Sequence, residues 1–171
     1  MRRARILQNG ARYHVTTRAN RKEMIFDSDD MKDLFLEIVK RAKKKFNFQV
    51  DNFCIMGNHI HLIIKPGDGE SLSRIMQWIK GVFAMAFNRK TGLCGHVWGG
   101  RFFSKIISSF KEYLRTFLYI DENPVTAQIV AKASDWRYGG LWHHKTGCTD
   151  IIDKPPLYIK LLYPDQVTTR L

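Results

Sequence analysis

The stretch Met56-Gly57-Asn58-His59-Ile60-His61-Leu62-Ile63-Ile64 decides how the sheet of this protein is built. Side chains alternate across a β-strand, so His59 and His61 would project from one face. The other face would carry the apolar residues between and after them and would pack into a core. Two adjacent imidazoles can offer nitrogen ligands to one metal ion. The alternative is a pair of ordinary histidines on a half-exposed sheet, which this strand alone does not exclude.

The charge balance favours a nucleic acid as partner. The 171 residues carry 28 Lys and Arg against 16 Asp and Glu, a formal net charge of +12. Each cation placed on a phosphate releases counterions, so a chain this basic suits a polyanion. The cations fall in six clusters along the chain. Any one cluster would fit an ordinary solvated surface, but together they favour nucleic acid.

The composition also excludes several classes of protein. No stretch approaches the roughly 18 apolar residues that span a bilayer, and no membrane partner is expected. The first residues lack the apolar core of a signal peptide, so we expect a cytoplasmic, nucleoid-associated protein. Three cysteines with no Cys-x-x-Cys spacing indicate neither a disulfide framework nor a zinc knuckle.

Periodicity and turn residues predict the element order β-α-β-β-α-β-α. The first six elements match the ferredoxin-like split β-α-β pattern, an α+β fold with helices packed on an antiparallel sheet. Pro124 is expected to begin a separate short helix, and residues 145–171 to form an irregular C-terminal tail of unknown role. The other elements are expected as strands at 12–18, 48–56, 59–66 and 101–109, and as helices at 29–46, 72–88 and 111–122. Ser28 and Ser71 are expected to be the N-caps of the first two helices.

The predicted helix at 111–122 carries a second candidate functional residue. Arg115 and Tyr119 lie four positions apart and share one face. A tyrosine on a helix packed over a metal-bearing sheet can direct its phenol at a metal-bound phosphate. A ring that fills core with its hydroxyl in water is the more common arrangement. Tyr113 lies six positions earlier, a net rotation of about 240°, so it cannot face the same site.

Three short blocks, in this order, resemble the single-tyrosine HUH transposases. The most similar branch is the REP-associated tyrosine transposases. The blocks are Asn58-His59-Ile60-His61, Val97-Trp98-x-x-Arg101-Phe102-Phe103 and Tyr119-Ile120-x-x-Asn123-Pro124-Val125. The resemblance covers residues 10–140 and gives no match for 145–171.

The resemblance implies a catalytic domain, residues 1–144, that nicks and rejoins single-stranded, hairpin-containing DNA. Its cofactor would be a divalent metal ion, Mg²⁺ or Mn²⁺, and its intermediate a 5′-phosphotyrosine. By position, Tyr119 would be the nucleophile and His59 and His61 metal ligands. Asn123 stands where the family has its third ligand. It has an alternative role as the N-cap of a helix that begins at Pro124.

Basic side chains are the candidates for contact with DNA, in the amino-terminal arm and at positions around the predicted site: Arg2, Arg3, Arg5, Arg18, Arg101, Lys105 and Arg115. The sequence leaves the oligomeric state open between monomer and homodimer. The sequence is also consistent with two other functions. One is a catalytically silent nucleic-acid-binding protein on the same fold, and the other is a rolling-circle replication or relaxase-type HUH nuclease.

Four further histidines are not expected in the site. His14 lies in the first strand and could approach the metal face, but a bond to backbone is the expected arrangement for a histidine in a strand. His96, His143 and His144 are expected in surface loops.

Overall fold

A four-stranded antiparallel sheet forms the centre of the computed structural model, which describes residues 8–153. The strands are β1 (Arg12–Arg18), β2 (Phe48–Ile55), β3 (His59–Pro66) and β4 (Phe103–Ile107), in the spatial order β2-β3-β1-β4. The helices are α1 (Asp29–Lys45), α2 (Leu72–Thr91), α3 (Phe110–Thr126) and α4 (Gly140–Thr146). The order of the first six elements confirms the predicted α+β ferredoxin-like fold.

The two faces of β3 divide as the alternation predicts. Ile60, Leu62 and Ile64 are at most 2% exposed and belong to the large apolar core that includes α1 and α2. His59 and His61 project from the opposite face, which α3 covers in part. Gly57 and Asn58 make the turn between β2 and β3, closed by a bond from Met56 N to His59 O of 2.9 Å. The sheet therefore separates the core from the candidate site.

Serine hydroxyls begin the two helices of the core layer. The side chain of Ser28 accepts from Met31 N, and that of Ser71 from Arg74 N. These caps satisfy backbone N–H groups that no helical carbonyl can reach. Both N-caps confirm the prediction.

A β-bulge changes the parity of β2 half-way along the strand. Val50 pairs with Ile64 and Asn52 with Ile63, so Asp51 is the extra residue. Val50 faces the core of α1 and α2 before the bulge, and Phe53 does so after it. Asn52 consequently points toward α3 instead of into the apolar core.

The predicted helix break before Pro124 is wrong. α3 runs unbroken to Thr126 with Pro124 inside it and buried. A proline removes one helical hydrogen bond, and here it does so only in the last turn, where the loss is small. Asn123 therefore lies inside a helix and is not an N-cap. Its Nδ2 donates to Tyr119 O at 2.6 Å, one turn back.

The stretch from 133 to 153 folds against the edge of the sheet. α4 spans the expected boundary between the domain (residues 1–144) and the tail (residues 145–171). His143 and His144, which lie on α4, are each 4% exposed. The prediction that these two lie on the surface is wrong, because α4 packs on β2. His144 Nε2 lies 3.2 Å from Asp51 O, and His143 lies edge-on to Phe53. His96 is exposed, as predicted.

Some predictions fall outside the described residues. The basic arm with Arg2, Arg3 and Arg5 lies there, as do residues 154–171 of the expected tail. Within 8–153, no helix is long and apolar enough to cross a membrane.

Candidate functional site

β3 and α3 bring the two histidines and the tyrosine of the sequence motifs together. The ring centroids of His59 and His61 are 5.0 Å apart, and those of His61 and Tyr119 are 5.5 Å apart. Tyr119 stands edge-on to His61 and is 55% exposed. The phenol is thus close to His61 and open to a ligand.

His14 is a third imidazole at this site. Its Nε2 lies 3.0 Å from His61 Nδ1, and its ring centroid lies 6.0 Å from that of Tyr119. The expectation of a bond to backbone is wrong, because β1 is the strand next to β3 in the sheet. Tyr13 and Val15 are buried in the core, so the alternation of β1 puts His14 on the face of the site. The alternation in β1 can be read from the sequence. It places His14 at the site only once β1 is known to pair with β3.

Short hydrogen bonds orient the two imidazoles of the motif. His59 Nδ1 lies 2.8 Å from Asn58 Oδ1, and His61 Nδ1 lies 3.1 Å from Thr16 Oγ1. An amide oxygen only accepts, so Nδ1 of His59 carries the hydrogen and Nε2 keeps its lone pair. Partners of this kind fix the tautomer and direction of histidines that bind metals.

The environment keeps all three imidazoles neutral at neutral pH. Burial lowers the pKa of His61 to about 3, helped by His59, His14 and Arg18 nearby. Burial and then Arg18 lower the pKa of His59, against a hydrogen bond to Asn123. Burial and then Lys105 lower the pKa of His14. A neutral ring is the form that coordinates a cation.

The donor set fits a loosely held divalent ion. Within residues 8–153, no group of three or more His, Cys, Asp and Glu side chains is arranged to hold a metal. The candidate donors are instead the imidazoles of His59 and His61 and the amide of Asn123, which hydrogen-bonds to His59. Such a set leaves several coordination positions for phosphate oxygens and water, as Mg²⁺ and Mn²⁺ sites on nucleotides require.

A basic groove opens beside the tyrosine. It has a volume of about 470 Å³ and is lined by His14, Tyr119 and cations from β4 and α3. Lys105 and Arg115 are two of these cations, and Lys105 Nζ forms an ion pair of 2.6 Å with Glu112 Oε1. That pair, with hydrogen bonds from Ser108, lowers the pKa of Glu112 to about 2. Arg115 is exposed and directed to the groove.

Two other predicted DNA contacts lie at different distances from the tyrosine. Arg18 pairs with His59 in the β1–β3 ladder and so lies at the site. Arg101 instead lines a separate, largely apolar cleft of about 660 Å³ between α2 and the loop that precedes β4. Trp98, from the second motif block, has a structural role there, because its indole N–H donates to Lys80 O at 2.9 Å.

Comparison with known proteins places this arrangement in a family. The model of the IS200-like transposase family matches residues 8–123, more than half of the chain. The protein therefore belongs to the IS200-like transposases, which confirms the resemblance seen in the motifs.

Solved structures share the fold at low sequence identity. A REP-associated tyrosine transposase bound to a REP hairpin superposes with a TM-score of 0.72 at 19% identity, covering 100% of this chain and 99% of that one. A proposed transposase from Deinococcus radiodurans superposes with a TM-score of 0.51 at 14% identity, covering 71% of this chain and 97% of that one. Among curated proteins, no significantly similar sequence was found.

Proposed function

We propose that this protein cleaves and rejoins single-stranded DNA next to a hairpin, with Tyr119 as the nucleophile. The observation that carries the proposal is the position of Tyr119, which is exposed and stands edge-on to His61 at 5.5 Å. Because Tyr119 is exposed, burial in the core does not explain its place beside His61. A phenol and two candidate metal ligands at this separation can contact one phosphate group.

The reaction is a transesterification that conserves the number of phosphoester bonds. Tyr119 Oη attacks the scissile phosphorus, a bond from Oη to phosphorus forms, and the bond to the 3′ oxygen of the DNA breaks. The phenol proton is lost, and the departing 3′ oxygen takes up a proton. A 3′-hydroxyl attacking the phosphotyrosine reverses the step, so rejoining needs no nucleotide cofactor.

His59, His61 and Asn123 are the residues that would hold a divalent cation. When bound, such an ion polarises the phosphate and offsets the charge that develops in the transition state. This chain contributes a preorganised site. Asn58 and Thr16 hold the two rings, and burial keeps both rings neutral.

Cations around the site suit a phosphate backbone that passes Tyr119. Arg18 lies at His59, and Lys105 and Arg115 line the groove on the other side of the phenol. The similar REP-associated transposase was solved with a REP hairpin, which supports a hairpin as the substrate feature of this chain. Phosphate contacts position the strand, while base contacts would select its sequence.

The test uses the protein with Mn²⁺ or Mg²⁺ and hairpin oligonucleotides that carry single-stranded flanks. Two matched substrates are labelled at the 5′ or the 3′ end. A 5′-phosphotyrosine predicts that the 3′ label migrates with the protein in a denaturing gel, whereas the 5′ label appears on a shorter free strand. Mass spectrometry of the digested adduct should locate the nucleotide on Tyr119.

Other outcomes identify the alternatives. Hairpin binding without any cleavage, across a library of flanking sequences, would favour a silent DNA-binding protein. An adduct on a residue other than Tyr119 would contradict the proposed nucleophile.

A further inference from the structure

Asn52 is a buried polar side chain that joins β2 to α3. Its Nδ2 donates to Asp121 Oδ1 at 2.9 Å and to Phe117 O at 3.3 Å. Its Oδ1 accepts from Phe53 N at 2.8 Å. Asn52 is 0% and Asp121 4% exposed. Both ends of this amide are therefore engaged in a place sealed from water.

The two acceptors lie on the turn of α3 that carries the tyrosine. Phe117 and Asp121 are four residues apart, and Tyr119 is midway between them. Two helical positions correspond to a rotation of about 200°, so Tyr119 faces away from the bond. The Asn52 amide thus holds the inner side of the turn whose outer side presents the phenol.

A bulge in β2 and a glycine in α4 place Asn52 against α3. The bulge at Asp51 turns Asn52 out of the apolar core and toward the helix. Gly140 of α4 closes over the amide, and a Cβ at that position would collide with Asn52 Oδ1. Asn52 is therefore enclosed by β2, α3 and α4.

The apolar contacts of α3 with the sheet cannot supply the same restraint. Phe117 and Ile120 pack on Met56 and Ile63 in a small apolar cluster. Apolar packing has no direction and tolerates small shifts of a helix along its axis. A buried hydrogen bond is lost when the helix slides, and the polar groups left behind are strongly unfavourable. Tyr119 itself is half exposed and cannot anchor the helix.

We propose that Asn52 and Asp121 form a positioning pair that sets the register of α3 on the sheet and thereby holds Tyr119 opposite His61. This inference rests on the proposed function, because Tyr119 is taken as the nucleophile. Neither residue touches the DNA. Their effect acts through the position of the phenol.

The test compares variants that remove the pair with one that preserves it. Asn52→Leu and Asp121→Leu remove it, whereas Asp121→Asn keeps an oxygen that accepts from Asn52 Nδ2. We expect the Leu variants to form the adduct about 10–100-fold more slowly in single turnovers at saturating DNA, since small misplacements cost this much. The DNA concentration at half saturation should stay within about twofold. Asp121→Asn should restore most of the rate. Glu122→Leu, at the exposed next position, is the matched control and should leave the rate unchanged.

A second measurement does not depend on catalysis. Hydrogen–deuterium exchange of the amides from 117 to 123 should be faster in the Leu variants, with β1 and β3 unchanged. If Asn52→Leu does not fold, Asn52→Ser provides the same comparison with a smaller change of shape.

The outcomes separate this inference from the proposed function. Adduct formation by the wild-type protein, with equal rates and equal exchange in the Leu variants, would overturn the positioning pair. If the wild-type protein forms no adduct, the proposed function fails, and the exchange data alone decide whether the pair sets the register of α3.

Discussion

Tyr119 and His61 meet at right angles across the gap between α3 and β3. Their ring centroids are 5.5 Å apart and their planes are inclined by 90°. The sheet holds His61 from both sides, since β3 pairs with β1 and with β2. Tyr119 reaches the same place from a helix that is attached to the sheet by a small apolar cluster, a buried polar pair and the Lys105–Glu112 ion pair. The site therefore combines a rigid half with a half whose position depends on helix packing.

Replacement of Tyr119 by Phe should abolish the covalent adduct and leave the rest of the protein intact. The ring contacts with His14 and His61 survive, and the side chain is half exposed. We expect an unfolding free energy within about 0.5 kcal/mol of wild type. Affinity for uncleaved hairpin DNA should stay within about twofold, measured by fluorescence anisotropy.

Tyr113→Phe is the matched control for that experiment. It removes the same atom from the same helix, at a buried position that faces elsewhere. The adduct should persist. An adduct that survives in Tyr119→Phe and disappears in Tyr113→Phe would transfer the nucleophile to the inner phenol.

Asn123→Ala should weaken divalent metal binding. The amide meets His59 from α3. Loss of a residue that only orients a metal ligand typically costs about 10–100-fold in affinity, so loss of a proposed ligand should cost at least as much. Asn123→Asp should bind Mn²⁺ at least as tightly as wild type, because a carboxylate is the stronger ligand. Titration of free Mn²⁺ by electron paramagnetic resonance, without DNA, measures this directly.

His61→Ala and Glu122→Ala provide the references for the metal titration. His61→Ala should lose binding altogether, and the exposed Glu122 should not matter. If Asn123→Ala binds Mn²⁺ like wild type while His61→Ala does not, Asn123 is no ligand, and its role is confined to its hydrogen bonds to Tyr119 O and His59.

Acid should destabilise the fold before most carboxylates titrate. Burial lowers the pKa of His61 to about 3 and that of His143 to about 4, from 6.5. Below about pH 6.5, these histidines therefore bind protons in the unfolded chain but stay neutral in the folded protein. The stability contributed by these neutral rings is complete above that pH and falls as the pH drops, by up to about 1.4 kcal/mol per pH unit for each histidine.

Urea unfolding at about pH 7.5 and about pH 5 measures this loss. His143→Gln removes one of the groups outside the candidate site, so its loss of stability between these pH values should be smaller. A variant that loses as much stability as wild type over this range would show that His143 is not buried neutral.

Local pattern predicted the elements that one stretch of chain determines by itself. The alternation in β3 separated the histidines from the core, and Ser28 and Ser71 marked two helix starts. Helical rotation showed that Tyr113 and Tyr119 cannot both face one site, and the motif pattern then favoured Tyr119. These predictions needed no partner strand.

Residues whose roles depend on tertiary contacts were misjudged or missed. His14 enters the site only because β1 lies beside β3, and His144 is buried only because α4 packs on β2. Asn52 faces α3 through a bulge that no turn residue announces. Asn123 looked like a cap because Pro124 follows it, but the packing of α3 outweighs that local preference.

Arg115→Ala should weaken DNA binding in a way that depends on salt. The guanidinium is exposed in the groove beside Tyr119 and is free of the ion pair that engages Lys105. If Arg115 contacts one phosphate, its removal lowers the slope of log affinity against log salt by about 1, whatever the sequence of the strand. Lys90→Ala is the matched control, since Lys90 is paired with Asp30 between α1 and α2, on the other side of the sheet. Hairpin affinity measured over a range of salt concentrations should show a smaller slope for Arg115→Ala than for wild type. The slope for Lys90→Ala should equal that of wild type. Equal slopes in both variants would place the DNA backbone away from this groove, and the path proposed past Tyr119 would then have to run along Arg18 and His59 instead.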